Sequence, residues 1–320
     1  MSAIRETGLF EDWLRFERGL SPRTCASYIA DLRDFSLYLD SKGVESPAAI
    51  DRIAIADYLE NLRAAGARET TRARRFSAVR AYLRFLQSSG EVENDATAPM
   101  NAPRLKRALP KILPEETVRA FIESIDPAKL PGGAAGDESK IAETVRDRAV
   151  VETLYGCGLR VSELCALEMK DVFLDESVLR CFGKGSKERI VPVGGDAARW
   201  IALYAGTWRA RHARGNTAET HLFLTRLGRK FTRVAVFQML KRRAEAFAAT
   251  GGDIDPAKVS PHVFRHCFAS HLLAHGAGIR PIQEMLGHAS IATTQVYTHV
   301  DQGRLSAVHR KFHPRSGVKE

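Results

Sequence analysis

Residues 172–193 read VFLDESVLRCFGKGSKERIVPV and carry the β-strand signal that decides the fold class. Their apolar and β-branched runs predict three short strands, at residues 172–174, 178–182 and 189–193. Glycines and charged residues at 183–188 are typical of a turn between the last two strands, with Lys184 at its tip. Helical patterns lie on both sides of this segment, so we expect a mainly α protein with a small antiparallel sheet.

The N-terminal part, residues 1–90, is predicted to form a domain of four helices. Ser21-Pro22 is a helix start signal, with serine as the cap and proline in the first turn. Glycines near the ends of four helical segments are expected to terminate them; these are Gly19, Gly43, Gly66 and Gly90. Two segments have apolar residues on one helical face, namely Tyr28, Leu32, Phe35 and Leu39, and Phe76, Val79, Leu83 and Leu86.

A linker is expected at residues 91–112, because prolines crowd this part of the chain and helical periodicity is lost. The second domain is then assigned to residues 113–320. It begins with Pro114-Glu115-Glu116, which places a proline and two acidic side chains in a first helical turn. From about residue 195 the chain is predicted to be helical to its end.

The charge balance narrows the class of partner. There are 48 lysines and arginines against 38 acidic residues. The resulting net charge of +10 favours a polyanionic binding partner, and nucleic acid is favoured over an anionic membrane. No segment approaches the roughly 18 consecutive apolar residues of a membrane span, and no signal peptide is recognised. The five cysteines are scattered without a zinc pattern, so we expect a cytoplasmic protein that needs no metal.

Seven arginines and a single acidic residue lie between Arg63 and Arg84. This clustering along one helix favours contacts to DNA phosphates, although a solvated helix face produces the same pattern. Tyr82 and Phe85, which lie among these arginines, are expected in the core. The residues predicted to bind DNA are Arg68, Arg72, Arg74, Arg75, Arg80, Lys106 and Arg107.

Four short segments of the second domain suggest chemistry when they are taken together. They are GLRVSEL at 158–164, GKG at 183–185, SPHVFRH at 260–266, and LGH at 286–288, which Tyr297 follows nine residues later. Each is ordinary alone; Arg160 with Glu163, for example, is also typical of a helix ion pair. As a set they supply two arginines to hold a phosphodiester, a lysine to protonate a leaving oxygen, and a tyrosine nucleophile. Such a site needs no metal.

In this order, these segments resemble the tyrosine recombinase (phage integrase) family, and within it the XerC/XerD group of bacterial site-specific recombinases. The resemblance covers nearly the whole chain and rests on residues 154–164, 183–189, 260–266 and 293–300. The ending HRKFHPR, residues 309–315, is more similar to XerD than to XerC.

The resemblance implies a catalytic set of Arg160, Lys184, His262, Arg265, His288 and Tyr297. In that family the two arginines clamp the scissile phosphate and the lysine is the general acid for the 5′-hydroxyl. The histidines bind the phosphate and assist proton transfer, with His262 as the acceptor from the nucleophile. The tyrosine attacks to form a 3′-phosphotyrosine, and Glu163 orients the helix of Arg160. No cofactor and no ATP are implied.

The resemblance also implies an architecture and partners. A SAM-like helical core-binding domain and an α+β catalytic domain would close around duplex DNA as a C-shaped clamp. The C-terminal helix, about 302–312, would pack on a neighbouring protomer in trans. The implied partners are a dif-like core site in duplex DNA, a paralogous XerC-like recombinase in a heterotetramer, and a septal DNA translocase (FtsK-like). The implied role is chromosome partition during cell division.

Three alternatives stay open from the sequence. One is a mobile-element integrase of the same family. A second is a type IB topoisomerase-like enzyme that relaxes DNA with a similar set of residues. A third is an architectural DNA-binding protein with an inactive site, against which the complete catalytic set argues. The helical N-terminal domain and the extension beyond Tyr297 favour a recombinase that assembles.

Overall fold

The computed structural model describes residue 4 and residues 7–101, 112–133, 137–182, 188–287 and 299–317. The chain divides into two compact units, Met1–Ala108 and Leu109–Glu320. Helices dominate both units, and the second also contains a three-stranded antiparallel sheet. The predicted fold class, mainly α with a small sheet, is confirmed.

The first unit is built from the four predicted helices. Their bounds are α1 Thr7–Phe16, α2 Pro22–Ser41, α3 Arg52–Ala64 and α4 Glu69–Ser88. Helix α2 begins at the predicted signal, where the Ser21 hydroxyl accepts a hydrogen bond from the Thr24 amide at 3.2 Å. All four predicted terminator glycines have a left-handed φ between 60° and 78°, which glycine adopts without strain.

The core of the first unit is aromatic, and both predicted apolar faces point into it. Phe35 packs on Tyr58 with ring centroids 4.8 Å apart, and Tyr82 meets Phe10 edge to face. Tyr82 and Phe85 are buried, as predicted. Residues 92–100, which the sequence assigns to the linker, contribute apolar side chains to this same core. The domain boundaries at 90 and 112 stay a prediction.

The second unit surrounds a long buried helix with shorter ones. The helices are α5 Glu115–Ser124, α6 Glu138–Cys157, α7 Val161–Ala166, α8 Gly195–Leu203, α9 Arg209–Ala213, α10 Arg233–Ala249, α11 Pro261–Ala274, α12 Ile279–Leu286 and α13 His299–Phe312. Helix α6 is buried along most of its length and supports the elements packed around it. Helix α5 begins at the predicted acidic turn after Pro114.

The predicted strands are confirmed as β1 Val172–Phe173, β2 Val178–Phe182 and β3 Glu188–Pro192. They pair in the order β1-β2-β3, and the register from Phe182 opposite Glu188 leaves residues 183–187 as the connection. The expectation of helix from residue 195 onward fails at 214–232. Turns replace helix there, because Gly215 and Gly228 adopt left-handed backbone conformations that end regular structure.

Helix α13 packs against α11 and α12 of its own chain. Leu305 is buried in a cluster with Phe268 and Met285, because the apolar face of α13 packs against α11 and α12. Beyond the helix, Arg315 forms a buried bidentate ion pair with Glu152 of α6, at 2.6 and 2.8 Å. The implied packing in trans concerns an assembly of several chains and stays a prediction.

Two histidines join this C-terminal segment to the centre of the unit. His309 and His313 stack with ring centroids 4.7 Å apart, and His309 Nε2 lies 2.7 Å from the carbonyl oxygen of Gly156. Burial lowers the pKa of His309 to about 4 and holds the pKa of His313 well below its usual range. Both rings are therefore neutral at pH 7.

Candidate active site

Arg160 lies at the turn between α6 and α7. Gly158 ends α6 with a φ of +60°, and a Cβ atom there would overlap the ring of Phe268, so this turn requires glycine. Glu163 closes the first turn of α7: its Oε2 accepts from the Arg160 backbone N–H at 2.8 Å and its Oε1 from Arg160 Nη1 at 2.9 Å. The ion pair still leaves 38% of the Arg160 side chain exposed, so the guanidinium is accessible to a ligand.

Arg265 lies on α11 and is oriented by backbone carbonyls. Its Nη1 donates to the carbonyl of Gly158 and its Nη2 to that of Leu286, both at 2.6 Å. Burial, with the nearby charge of Arg160 as the second cause, lowers the pKa of Arg265 to about 10. The group stays charged at neutral pH, so two positive guanidiniums are held near each other.

Arg189, on β3, is part of this arrangement and was missed by the sequence reasoning. Its Nη1 and Nη2 donate to the two carboxylate oxygens of Glu163 at 2.6 and 2.8 Å, and its Nε donates to the carbonyl of Met285 at 3.1 Å. Burial alone would raise the pKa of Glu163, but the hydrogen bonds and charge of Arg189, with those of Arg160, lower it. A signal was present in the sequence, since Arg189 shares the inward-facing parity of Val191.

The end of α12 supports both predicted arginines. The carbonyl of Gly287 accepts from Arg160 Nη2 at 3.2 Å, next to the Leu286 carbonyl that accepts from Arg265. Among the described residues of this cluster, Arg160 and Arg189 bind the carboxylate of Glu163, and Arg265 adds a third guanidinium that interacts with it through charge alone. That excess of positive charge, with donors fixed by the backbone, is what binding of an anionic phosphate requires.

The remaining predicted catalytic residues divide into one that is described and three that are not. His262 lies on the exposed surface in the first turn of α11, one turn before Arg265. Lys184, His288 and Tyr297 lie outside the described residues. The structure thus brings together Arg160 and Arg265, and the assignment of the full set stays a prediction.

The arginines of α4 in the first unit are largely engaged within that unit. Arg74 and Arg75 both pair with the buried carboxylate of Asp31, and Arg75 also pairs with Asp34. Arg80 donates to backbone carbonyls in the segment 92–100.

Two of the predicted DNA-binding arginines have a different setting. In residues 7–101, carboxylate ion pairs hold Arg63, Arg74, Arg75 and Arg84 but include neither Arg68 nor Arg72. Arg68 is exposed where α4 begins, and Arg72 is half-buried one turn later. Lys106 and Arg107 lie outside the described residues.

Two family models match this chain. The phage integrase family matches residues 135–304, more than half of the chain, and the N-terminal SAM-like domain of phage integrases matches residues 8–90. The chain belongs to the phage integrase family. It is therefore a tyrosine-type site-specific DNA recombinase, and the predicted family and enzyme class are confirmed.

The recombinase is similar along its whole length to bacterial proteins named tyrosine recombinase XerD. The Pseudomonas aeruginosa protein is 38% identical over 309 residues, which are 96% of each chain. The Oceanobacillus iheyensis protein is 37% identical over 310 residues, 96% of this chain and 97% of that one. The predicted resemblance to the XerD type is thus confirmed.

Solved structures support the fold of the recombinase. The alignment with a XerH site-specific recombinase bound to its difH substrate covers 96% of this chain and 82% of the XerH chain, with a TM-score of 0.65 at 21% identity. The Tn1549 transposon integrase, solved with circular intermediate DNA, covers 96% and 99%, with a TM-score of 0.66 at 18% identity. At these identities the likeness concerns the fold alone.

The described residues offer neither a metal site of protein side chains nor a membrane-spanning helix. Among the described residues, no three histidine, cysteine or acidic side chains are grouped so as to hold a metal ion. None of the helices in those ranges is sufficiently long and apolar to cross a bilayer.

Proposed function

We propose that this recombinase cuts and rejoins duplex DNA through a covalent 3′-phosphotyrosine bond to Tyr297. The observation that carries the proposal is the pair Arg160 and Arg265, whose guanidiniums donate to the adjacent carbonyls of Gly287 and Leu286 at the end of α12. Two fixed guanidiniums suit the non-bridging oxygens of one phosphodiester, and they stabilise charge that develops there during attack.

In the proposed cleavage step, the Tyr297 oxygen attacks the phosphorus as the bond to the 5′ oxygen breaks. His262 accepts the proton of the tyrosine, and Lys184 donates a proton to the departing 5′ oxygen. His288 helps to bind the phosphate. Rejoining reverses these transfers when a 5′-hydroxyl from another duplex attacks the phosphotyrosine. One phosphodiester is exchanged for another, so the reaction needs neither ATP nor a metal.

The proposed DNA contacts come from both parts of the chain. We assign core-site binding to residues 1–90, a linker to 91–112 and catalysis to 113–320, closed around the duplex as a clamp. Arg68 and Arg72 are the best-supported contacts of the first part, because no carboxylate of residues 7–101 pairs with them. Lys106 and Arg107 complete the proposed set. Arg74, Arg75 and Arg80, which the sequence also assigned to DNA, are engaged within their own unit, and we expect them to contribute little to binding.

The proposed biological role is to resolve chromosome dimers at a dif-like terminus site during cell division. The full-length similarity to proteins named tyrosine recombinase XerD supports this role. It implies work in the cytoplasm with a XerC-like partner in a heterotetramer and with a septal DNA translocase. A mobile-element integrase would instead act at the ends of its element, and a type IB-like enzyme would relax plasmids without exchanging strands.

The covalent step can be tested with nicked duplexes that carry candidate core sites from the replication terminus. The nick lets the cleaved fragment diffuse away, so the covalent protein–DNA adduct accumulates and is visible on a denaturing gel. We expect an adduct with the unmodified protein and none with Tyr297→Phe. An adduct that persists in Tyr297→Phe would exclude Tyr297 as the nucleophile.

The same assay separates the other roles. Sulfur in place of the 5′ bridging oxygen needs no protonation to depart, so this substrate should restore cleavage by Lys184→Ala. Failure to restore it would contradict the general-acid role. Adducts on element ends but not on terminus sites would favour the mobile-element function.

A further inference from the structure

We infer that Arg189 is a positioning residue that neutralises Glu163 and so leaves the charge of Arg160 available to the scissile phosphate. The inference rests on the proposed function, because it assumes that Arg160 binds that phosphate. It assigns a role to a side chain outside the six catalytic residues predicted from sequence.

The hydrogen bonds of Glu163 are divided unequally between its two arginines. Arg189 contacts both carboxylate oxygens through a two-pronged guanidinium fork, at 2.6 and 2.8 Å. Arg160 contributes one side-chain bond, at 2.9 Å, and its backbone N–H. Bidentate pairing of this kind is the strong geometry for a carboxylate, so most of the charge of Glu163 is balanced by Arg189.

Burial makes this division consequential. The side chains of Arg189 and Glu163 are only 5% and 3% exposed, whereas that of Arg160 is 38% exposed. Charges interact strongly where water is excluded, so Glu163 cannot remain unpaired. Without Arg189, the carboxylate would take Arg160 as its only remaining hydrogen-bonded arginine and would compete with DNA for that guanidinium.

Arg189 also joins three elements that converge on the site. It lies on β3, directly after the connection that carries Lys184, and it binds Glu163 of α7. Its Nε donates to the Met285 carbonyl in α12. Gly287 packs closely against the same side chain, and a Cβ atom at that position would lie 3.1 Å from the Arg189 Nε. These contacts hold the Arg189 guanidinium in register with the Glu163 carboxylate and beside the end of α12.

The test compares the rate of covalent adduct formation in a single turnover with saturating nicked DNA. We expect Arg189→Met to lower this rate about a hundredfold, because Arg160 is then held by Glu163. Adding Glu163→Gln to this variant should raise the rate again by at least about tenfold, because a neutral amide no longer competes for Arg160. The matched control is Arg180→Met on β2, which also loses a buried partner, Asp171, but should keep the normal rate.

The double variant tests the inference even if Arg189→Met does not fold, since it removes both buried charges together. With residue 163 neutral, Arg189 should matter little, and the double variant should react within about threefold of Glu163→Gln. A double variant that is much slower than Glu163→Gln would overturn the inference.

A second readout separates this role from general damage to the fold. A methylphosphonate at the scissile position carries no negative charge and depends less on an arginine clamp. The defect of Arg189→Met should therefore shrink on this substrate, as should that of Arg160→Ala. An equal defect on both substrates would contradict the inference. If the unmodified protein forms no Tyr297 adduct, the proposed function itself fails; if only Arg189→Met behaves normally, the inference alone fails.

Discussion

The two units use clustered arginines in opposite ways. On α4 of the first unit, Arg74 and Arg75 are matched by Asp31 and Asp34, and Arg84 is matched by Asp95. In the second unit, the described part of the site has three guanidiniums and one carboxylate, Glu163, which pairs with Arg160 and Arg189 but not with Arg265. The second arrangement leaves positive charge available to a ligand, whereas the charges of Arg74, Arg75 and Arg84 are balanced within the first unit. The number of arginines in a stretch of sequence is thus a poorer guide to phosphate binding than the acids that fold back onto them.

The paired arginines of the first unit serve stability, whereas the unbalanced arginines of the second unit serve function. Ion pairs in the first unit join α2 to α4, so they contribute to the fold. Arg160 and Arg265 repel each other instead, and the lowered pKa of Arg265 reflects burial together with that repulsion. A bound phosphate would relieve the repulsion in a site whose donors are already oriented, which is how a preorganised site favours a charged transition state.

The largest expected effect comes from removing charge where it is in excess. Arg265→Ala should slow covalent adduct formation by about 10²–10³-fold, since it deletes a fixed donor aimed at the transition state. Single-turnover assays on nicked DNA measure this rate. Arg199→Ala serves as the control, because Arg199 is an exposed arginine paired with Asp196 on α8 and should leave the rate unchanged. A loss below tenfold for Arg265→Ala would contradict the proposed clamp.

The second prediction concerns pH, because all ten histidines lie in the second unit. The pKa of His309 is lowered by burial from 6.5 to about 4, so below pH 6.5 the unfolded chain takes up a proton that the folded chain refuses. Stability is therefore complete above pH 6.5 and falls as the pH drops toward 4. At pH 5 the loss from His309 alone is about 2 kcal/mol.

Hydrogen exchange on the full chain at pH 7 and pH 5, corrected for intrinsic rates, measures this contrast. Protection in α6 and α13 should fall at pH 5, whereas protection in α2 and α4 should not follow the same pH dependence. His309→Gln should reduce the pH dependence in the second unit. Equal loss of protection in both units would show that the buried histidines are not its cause.

Local sequence signals predicted most of the fold. The serine cap of α2, the four terminator glycines and the three strands depend on residues close together in the chain, so periodicity and turn chemistry were sufficient. The packing of α13 against α11 and the bridge between His221 and Glu168 depend on contacts between distant residues. His309, for instance, reaches Gly156 at a separation of 153 residues, and no local pattern records such a contact.

In the candidate site, too, the residues marked by local motifs were predicted and the residue that depends on a distant contact was not. Short motifs identified Arg160 and Arg265, because their spacing to glycine, glutamate and histidine is local. Arg189 was missed because its role depends on pairing with Glu163, which lies 26 residues earlier in the chain. Its inward-facing position on β3 was visible, but the carboxylate that makes a buried arginine tolerable was not.

The smallest expected effect sharpens the comparison within α4 itself. Each phosphate contact that is lost should reduce the slope of log binding constant against log salt by about 0.9 on duplex DNA. We expect Arg68→Ala and Arg72→Ala each to flatten the slope with little change in stability. Arg74→Ala should instead lower the free energy of unfolding by about 1 kcal/mol and leave the slope nearly unchanged, because it breaks the pair with Asp31.

Binding titrations at several salt concentrations and denaturant unfolding of the same variants check both halves of this last prediction. Arg63→Ala is the control, since Arg63 belongs to an exposed pair with Glu60 and should change neither quantity. If Arg74→Ala flattened the slope as much as Arg68→Ala, internal pairing would not decide which arginines bind phosphate. If none of the three changed it, the arginines of α4 would form a solvated face and the DNA contacts of the first unit would lie elsewhere.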